Sequence, residues 1–263
     1  SIRRQRQMCI RDRFSDLSLA YVPHDVIPSM FVLHDGKGFM KTKAFQKGWI
    51  SVIDPASVLF MLWAVPFFQG KVLDVCAAPG GKSLMIAALG KVDSLYLNDV
   101  SRHRIKRIQE NIQRTGISPS AILQSDGEKL PFDKHHFDTV LIDAPCSSTG
   151  TIQKNPDIKW TASEETLLKL LELQRQLLDE GARILKPGGT LIYSTCSLEE
   201  EENQNQVESF LARHTGFFMK KRPSDSAFFE LDDWTNEDHS FFQILTGPKW
   251  GGFFGAAISC DHA

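Results

Sequence analysis

Two cysteines stand where apolar runs of this chain stop, and the residues around them could make either one a nucleophile. Cys146 follows VLIDAP and begins a loop rich in serine, threonine and glycine, while Cys196 follows LIYST. Ser197 with Glu200 has the pattern of a capping box, which predicts a helix that begins directly after Cys196. A thiol reacts as its thiolate, and a helix N-terminus or a nearby cation favours that form. The residues alone leave open which of the two thiols reacts.

The other cysteines are expected to be packing residues. A single cysteine in an α/β domain usually behaves as a small buried apolar side chain, and we expect this of Cys9, Cys76 and Cys260. Five widely spaced cysteines without a CxxC pair argue against both a disulfide framework and a zinc site. The sequence therefore predicts reduced thiols, no metal and a cytoplasmic protein.

The elements that must position these thiols alternate between strand and helix patterns. This alternation predicts an α/β fold with a mostly parallel sheet and helices on both faces. The predicted strands are KVLDVC, SLYLND, SAILQSD, FDTVLIDA and TLIYST. Helices are predicted to begin at Asp54-Pro55, at residue 81, at Ser101 and at Thr161 with Glu164. FFQILTG and GGFFGAAIS predict a C-terminal antiparallel hairpin. Ligands of parallel sheets bind at the carboxyl ends of strands, so one edge is predicted to carry Cys76, Asp99, Asp126, Asp143, Cys146 and Cys196.

The segment VLDVCAAPGGKS has the pattern of a strand, a glycine turn and a helix, which is typical of a nucleotide or nucleoside site. Gly80 and Gly81 allow a ligand to approach the backbone, and the helix N-terminus offers free N–H groups. A phosphate-binding Walker loop would need a glycine where Cys76 stands, and the dinucleotide fingerprint G-x-G-x-x-G is absent. S-adenosylmethionine has no phosphate and fits this turn better than either alternative.

Two acids at later strand ends extend the same cofactor hypothesis. Asp99 ends the second predicted strand, where a carboxylate can accept hydrogen bonds from ribose hydroxyls. Asp126 ends the third and could bind the adenine amino group. The alternative for Asp126 is a turn-forming role before Gly127.

Methylation of C5 of cytosine is a reaction that needs a thiol beside S-adenosylmethionine. C5 is a poor nucleophile until a thiolate adds to C6, and the charge that then develops at N3 needs an acid or hydrogen-bond donor. Asp143, three residues before Cys146, could supply it. Amino-methylating enzymes would carry [DNS]PP[YFW] at this strand end, whereas this chain has DAPC.

Three blocks make the resemblance specific: VLDVCAAPGGKS, DAPCSSTGTIQKNPDIKW and LKPGGTLIYSTCSLEEEEN. They resemble the signature blocks of the Sun/RsmB-type (Nol/Nop/Sun) RNA cytosine-5 methyltransferases, from about GWISVIDPAS to GGFFGAAISC. The resemblance implies a Rossmann-like class I methyltransferase fold and S-adenosyl-L-methionine as cofactor. It also implies that Cys196 attacks C6 and that Cys146 assists release. DNA cytosine methyltransferases instead attack with the cysteine of the PC pair.

The same resemblance implies roles for the remaining site residues. Asp143 would face the target base, and Lys82 would lie near the cofactor tail and the reaction centre. The residues implied to bind the cofactor are Cys76, Ala77, Ala78, Pro79, Gly80, Gly81, Lys82, Asp99, Arg104, Asp126 and Asp143. Arg104 and Arg107 could equally form a solvated helix face. The chain departs from the family pattern at Gln153-Lys154, where arginines are common, and at Ile53, where a glutamine is common.

The resemblance and the composition together divide the chain into three segments. Residues 1–13 carry five arginines without an apolar period and resemble a translated sequencing adapter, so we interpret them as non-native; a genuine basic tail is the alternative. Residues 14–50 are expected to form a short N-terminal extension, truncated if the first segment is foreign. Residues 51–263 are expected to form the methyltransferase domain.

The expected partner is a structured RNA, with rRNA favoured over tRNA by the resemblance. The net charge is −2, so any RNA contact must use a local basic patch rather than global charge. Trp160 could stack on a base, although a core role is equally open, and candidates for phosphate contacts are Lys37, Lys41, Lys43, Lys47, Lys154 and Lys159. We expect a monomer without a membrane segment. The alternatives are an RNA-binding assembly factor with little turnover and a DNA cytosine-5 methyltransferase.

Overall fold

A computed structural model of the chain describes residues 21–27, 30–223, 234–236, 240–247 and 250–261. The adapter-like segment 1–13 lies outside these residues. The strands are β1 (Tyr21–Pro23), β2 (Phe31–Leu33), β3 (Gln69–Asp74), β4 (Lys91–Asn98), β5 (Ala121–Leu123), β6 (Phe137–Asp143), β7 (Leu185–Thr195), β8 (Phe217–Met219), β9 (Phe241–Ile244) and β10 (Phe253–Cys260). The helices are α1 (Lys43–Gln46), α2 (Pro55–Ala64), α3 (Gly81–Leu89), α4 (Arg102–Thr115), α5 (Ile158–Thr161), α6 (Glu164–Ile184) and α7 (Gln204–Arg213).

The central sheet has the order β5-β4-β3-β6-β7-β10-β8, and β9 also pairs with β10. The strands from β5 to β7 run parallel, whereas β10 is antiparallel to β7, β8 and β9. The strand order reverses at β3, which has β4 on one side and β6 on the other. This is the position at which parallel sheets bind ligands. The predicted α/β fold with a C-terminal antiparallel hairpin is confirmed.

The helix that precedes β3 begins where the sequence predicts. The Asp54 side chain accepts a hydrogen bond from the Ala56 amide at 2.8 Å, and Pro55 occupies the first turn of α2, where no amide proton is needed. Every residue of α2 after Pro55 is buried, because the helix lies between the sheet and the N-terminal extension. The helix thereby fixes the loop at residues 52–54, which reaches the candidate site.

Helices cover both faces of the sheet and give two apolar cores. One core packs α2, α3 and α4 around residues such as Phe60, Trp63 and Ile108. The other packs α6 and α7 around residues such as Leu178 and Phe210. The sheet between these two cores is held on both faces, so the loops at its carboxyl edge are carried by a rigid support.

Several sequence-based boundaries are wrong, and each has a physical reason. The long helix α6 is capped by Ser163, whose side chain accepts the Thr166 amide, instead of by Thr161, which ends the separate short helix α5. The capping box at Ser197 is not formed, because the Ser197 hydroxyl accepts the amide of Glu199 in a turn. A 3-10 helix then spans Glu200–Glu202, and α7 begins only at Gln204.

Two short strand pairings were not predicted. β8 has only three residues and pairs with the end of β10, so its pattern is too brief to distinguish from a loop. β1 and β2 form a separate antiparallel hairpin in the N-terminal extension. The third predicted strand is also shorter than SAILQSD, since β5 stops at Leu123.

Candidate active site

A cavity of about 350 Å³ opens at the carboxyl ends of β3, β6 and β7. Its wall joins the glycine turn before α3, the loop before α2 and the residues that lead into β10. The lining residues are Val52, Ile53, Asp54, Ser57, Asp74, Cys76, Ala77, Ala78, Pro79, Gly81, Lys82, Asp143, Thr151, Cys196, Gly251, Gly252 and Phe253.

The two candidate cysteines meet at the edge of this cavity. The sulfur atoms of Cys146 and Cys196 are 3.4 Å apart, which is hydrogen-bond distance for thiols. The hydroxyl of Ser148 lies 3.4 Å from the Cys196 sulfur and 4.0 Å from the Cys146 sulfur. Of these two cysteines, Cys196 lines the cavity and Cys146 lies directly behind it, outside the described lining.

The two thiols are strongly unequal as acids. The hydrogen bond from Cys146 is the largest of the effects that bring the pKa of Cys196 down to about 7; Ser148 and Lys82 act in the same direction, whereas burial and Asp143 oppose them. The same hydrogen bond to Cys196, together with burial, raises the pKa of Cys146 well above its ordinary value. Cys196 is therefore the thiol of the pair that ionises first.

A partly buried ion pair lines the cavity together with Cys196. Lys82 Nζ lies 2.6 Å from Asp143 Oδ2, and the Ser194 hydroxyl donates to Asp143 Oδ1 at 2.9 Å. Burial alone would lower the pKa of Lys82, but the attraction and hydrogen bond of Asp143 outweigh it and raise the pKa. Lys82 is therefore a fixed cation beside Cys196, and both oxygens of Asp143 accept hydrogen bonds.

The loop that carries Cys146 is anchored to the segment after Cys196 by a fully buried carboxylate. Glu202 accepts hydrogen bonds from the Ser147 amide at 2.9 Å, from the Ser147 hydroxyl and from the Gln174 side chain at 2.9 Å. Gly150 also connects the two segments, since its amide donates a hydrogen bond to the Cys196 carbonyl at 3.0 Å. A Cβ at Gly150 would stand 2.7 Å from that carbonyl oxygen, so only glycine fits there.

The glycine turn before α3 is held by hydrogen bonds with Asp99, just before α4, and with Arg104 in α4. Gly80 has a φ of 103°, a left-handed conformation that glycine adopts without strain. Asp99 accepts the Ala78 amide at 3.2 Å, and Arg104 donates to the Ala78 carbonyl at 2.9 Å. Arg104 also lies 3.5 Å from Asp99. Both charged residues therefore hold the turn that lines the cavity.

Asp74 is a site residue that the sequence analysis missed. It is almost fully buried at the end of β3 and lines the cavity. Its Oδ2 accepts the Ser83 hydroxyl at 2.6 Å, whereas its Oδ1 has no hydrogen-bond partner. Burial raises the pKa of Asp74 to about 7, against the opposing effect of Ser83. The available signal was an acid inside the otherwise apolar run KVLDVC, because a buried carboxyl is costly and usually serves a function.

The structure brings some predicted site residues together and leaves others apart. The predicted site residues that line the cavity are Cys76, Ala77, Ala78, Pro79, Gly81, Lys82, Asp143 and Cys196. The predicted residues outside the described lining are Gly80, Asp99, Arg104, Asp126 and Cys146. Cys76 follows the end of β3, and burial raises its pKa, so it is a thiol. Asp126 is exposed and accepts the Glu128 amide at 3.0 Å, which is the turn-forming arrangement considered above.

The surface beside the cavity carries the predicted RNA candidates. Trp160 on α5 is 87% exposed, so it is not a core residue. Lys154 pairs with Asp54 across the cavity rim. The other candidates for phosphate contacts are exposed lysines, namely Lys37, Lys41, Lys43, Lys47 and Lys159. Among the described residues, no group of three His, Cys, Asp or Glu side chains could hold a metal ion, and no helix has the length and apolarity to span a membrane.

Known proteins resemble the chain in sequence and in fold. Ribosomal RNA small subunit methyltransferase B of Salmonella arizonae is 36% identical over 247 residues, which cover 92% of this chain and 54% of that protein. The crystal structure of PH0851 matches with a TM-score of 0.84 and 31% identity, over 96% of this chain and 56% of that one. The structure of NSun6 from Pyrococcus horikoshii with SFG matches with a TM-score of 0.71 and 26% identity, over 90% of this chain and 57% of that one.

These matches confirm the resemblance that the three sequence blocks indicated. The chain spans about half the length of the relatives it matches. Residues 62–258 match the family described as 16S rRNA methyltransferase RsmB/F, and the chain belongs to that family.

Proposed function

We propose that the chain transfers a methyl group from S-adenosylmethionine to C5 of a cytosine in RNA, through a covalent bond between Cys196 and C6. One observation carries the proposal: two thiols lie 3.4 Å apart at the edge of a cavity that Cys196 and Lys82 line. The lowered pKa of Cys196 and the raised pKa of Cys146 agree with it. Addition to C6 needs a thiolate, and its later departure is helped by a neighbouring proton donor. The pair provides both.

The cavity suits the amino-acid end of S-adenosylmethionine, which would supply an electrophilic methyl group when bound. Its ammonium matches the unpaired Oδ1 of Asp74, and its carboxylate matches free amides at the start of α3. The relative NSun6 was solved with SFG, an analogue of this cofactor. Asp99, Arg104 and Asp126 would act further from the reacting methyl, Asp99 and Arg104 by holding Ala78.

Addition of the thiolate begins the proposed reaction. Cys196 forms a bond to C6, and the electron pair of the C5–C6 double bond makes C5 nucleophilic. The charge that reaches N3 is stabilised by the ammonium of Lys82, which Asp143 holds in place with its Oδ2 2.6 Å from Nζ. C5 would then take the methyl group, S-adenosylhomocysteine would be the leaving group, and the C5 proton would remain to be lost.

Release returns the enzyme to its starting state. A base removes the C5 proton, the C5–C6 double bond forms again, and the C6–S bond breaks to give the Cys196 thiolate. Cys146, with its thiol 3.4 Å away, donates a hydrogen bond to the departing sulfur. The raised pKa of Cys146 keeps its proton available for this step.

An rRNA substrate is favoured over tRNA because the relatives are named as small subunit rRNA methyltransferases. The target base must leave its stack, since C6 cannot be reached within one. Exposed Trp160 would provide a stacking surface, and the exposed lysines would provide phosphate contacts.

Covalent trapping tests the proposal. Cys146→Ala and Cys196→Ala are incubated separately with S-adenosylmethionine and pooled small-subunit rRNA and tRNA, then run on a denaturing gel. Cys146→Ala should accumulate a slowly migrating, RNase-sensitive adduct, because methylated product can no longer leave, and Cys196→Ala should give none. The trapped RNA would identify the substrate.

Cys260→Ala is the matched control, since Cys260 lies in β10 with its sulfur 2.9 Å from the Lys186 carbonyl oxygen and outside the cavity lining. It should turn over without accumulating adduct. An adduct with Cys196→Ala and none with Cys146→Ala would reverse the two roles and match the DNA enzymes. Cofactor binding without an adduct from any variant would favour an assembly factor.

A further inference from the structure

Ser148 occupies an unusual position between the two thiols. Its φ of 60° and ψ of 20° place a residue other than glycine in the left-handed region, which most side chains avoid. The conformation is fixed from the far side, because the Thr151 amide and the Thr151 hydroxyl both donate to the Ser148 carbonyl, at 2.8 and 2.9 Å. A strained residue held this firmly beside reactive groups suggests a role for its side chain.

The Ser148 hydroxyl has two possible acceptors for its single proton. It lies 3.4 Å from the carbonyl oxygen of Cys146 and 3.4 Å from the sulfur of Cys196. When Cys196 is a thiol, it donates to the serine oxygen, and the hydroxyl is free to face the carbonyl. When Cys196 is a thiolate, the negative sulfur is the stronger acceptor, and rotation about one bond redirects the hydroxyl towards it.

We propose that Ser148 is a positioning residue that donates a hydrogen bond to the Cys196 thiolate and orients that sulfur towards the cavity. The donor is additional to Cys146, whose thiol also points at Cys196. Two donors leave the thiolate stabilised on the side away from the substrate, so the remaining lone pair faces the cavity that Cys196 lines. The catalytic consequence rests on the proposed role of Cys196, whereas the hydrogen bond itself does not.

Other charged groups act on the same sulfur, and the test must separate them from Ser148. Cys146 and Lys82 favour the thiolate of Cys196, and Asp143 opposes it. These groups come from the loop after β6, from α3 and from the end of β6. Removal of the Ser148 hydroxyl leaves the side chains of Lys82, Asp143 and Cys146 in the protein, although Cys146 loses its contacts with that hydroxyl at 3.4 and 4.0 Å.

The experiment measures the rate at which iodoacetamide alkylates Cys196 between pH 5.5 and pH 9.5, without RNA or cofactor. Mass spectrometry of the peptide that contains Cys196 separates it from the other cysteines. In Ser148→Ala, the midpoint of the rate profile should rise by about one pH unit, as expected for loss of one hydrogen bond to a charged group. Ser148→Gly should give the same shift, because glycine removes the hydroxyl and also relieves the left-handed strain.

Ser118→Ala is the matched control, since it removes the same hydroxyl from an exposed position outside the cavity lining. Its midpoint should stay within a few tenths of a pH unit of the unaltered protein. An unchanged midpoint in both Ser148 variants would overturn the proposal, as would an equal shift in Ser118→Ala. Lack of alkylation of Cys196 in the unaltered protein near neutral pH would overturn it as well. If Ser148→Ala shows the expected shift of the midpoint but Cys146→Ala traps no RNA, the proposed function is rejected. The hydrogen bond from Ser148 to the Cys196 thiolate then still stands.

Discussion

Asp74 combines three properties that rarely occur together in one carboxyl group: nearly complete burial, an unpaired oxygen and a position on a cavity wall. Folding removes this group from water and stabilises its protonated form, which raises its pKa from 3.8 to about 7. The folded state therefore binds more protons than the unfolded state between these pH values. Stability must fall as the pH rises through that window and stay reduced above it.

We expect Asp74→Asn to increase the free energy of unfolding by about 2–4 kcal/mol at pH 8. The change should be small at pH 4, where the folded carboxyl is protonated and the unfolded one, with a pKa of 3.8, is near the midpoint of its ionisation. Urea unfolding at the two pH values measures this difference. The same variant should bind S-adenosylmethionine about 10–100-fold more weakly, because a charged partner of the ammonium is lost.

The control for Asp74 is Asp93→Asn, which removes the same charge from an exposed position of β4. It should alter neither the pH dependence of stability nor cofactor binding. Equal stabilisation of Asp74→Asn at pH 4 and pH 8 would contradict the assignment of a raised pKa to this group. Unchanged cofactor affinity would show that Asp74 does not contact the ammonium.

At the scale of elements, the site depends on a connection between two loops rather than on a helix end. The 3-10 helix at Glu200–Glu202 follows Cys196, and the loop at residues 145–149 follows β6. Glu202 joins them through three donors, from the amide and the hydroxyl of Ser147 and from Gln174. Glu202 therefore holds the two loops together, alongside the hydrogen bond from the Gly150 amide to the Cys196 carbonyl.

Glu202→Gln should weaken this connection, because the amide group of glutamine would place N–H donors against other donors. We expect a loss of about 1–3 kcal/mol in the free energy of unfolding, the usual cost of an unsatisfied buried polar group. Methyl transfer should fall more steeply than stability, since Cys146 would no longer be held beside Cys196. Urea unfolding and single-turnover methylation measure the two effects.

Glu201→Gln provides the comparison, because Glu201 is the exposed neighbour of Glu202 in the same 3-10 helix. That variant should retain both stability and methyl transfer. A Glu202→Gln protein that is destabilised yet methylates at the normal rate would show that the anchor is unnecessary for catalysis.

The sequence predicts the elements well and their junctions poorly. Period and capping residues give α2, α3 and α4 nearly in full, since Asp54 and Ser101 form the caps of α2 and α4 that their residue types indicate. The strands β3 and β4 are predicted at the right places but two to three residues late at their first residue. The cap at Ser197 is not formed because its hydroxyl accepts the Glu199 amide and also contacts Ser147 and Thr149, which come from a distant loop. Such a competition between local and tertiary hydrogen bonds cannot be read from local sequence.

The same limit applies to the residues of the site. A cysteine at a strand end is visible in the sequence, but its pKa depends on the 3.4 Å distance to another thiol fifty residues away. Glu202 belongs to a run of four glutamates, and only the fold distinguishes the buried one from its exposed neighbours. Asp126 has the sequence of a strand-end acid, whereas in the fold it forms a turn beyond β5.

At the scale of the whole molecule, β10 is the strand on which the C-terminal half of the sheet depends. It is buried along its full length and pairs with β7, β8 and β9. It also packs against α2, where Gly255 meets the ring of Phe60. A Cβ at Gly255 would stand 2.3 Å from that ring, so the contact requires glycine.

Gly255→Ala should lower the free energy of unfolding by about 1–3 kcal/mol through overpacking. Combining it with Phe60→Leu should restore part of this loss, because the smaller side chain makes room for the methyl group. Thermal and urea unfolding of the two single variants and the double variant form a cycle that isolates the coupling. Simple additivity of the two changes would contradict a direct contact between these positions.

The entry of β10 between β7 and the outer strands also governs when a newly made chain can become active. Gly251, Gly252 and Phe253 lead into this strand and form part of the cavity wall, and the Gly252 amide donates to the Gly150 carbonyl at 2.7 Å. Ribosomes make these residues after every other residue that lines the cavity. A growing chain can carry both cysteines and still lack part of the cavity wall, so the cavity is complete only after β10 has been made.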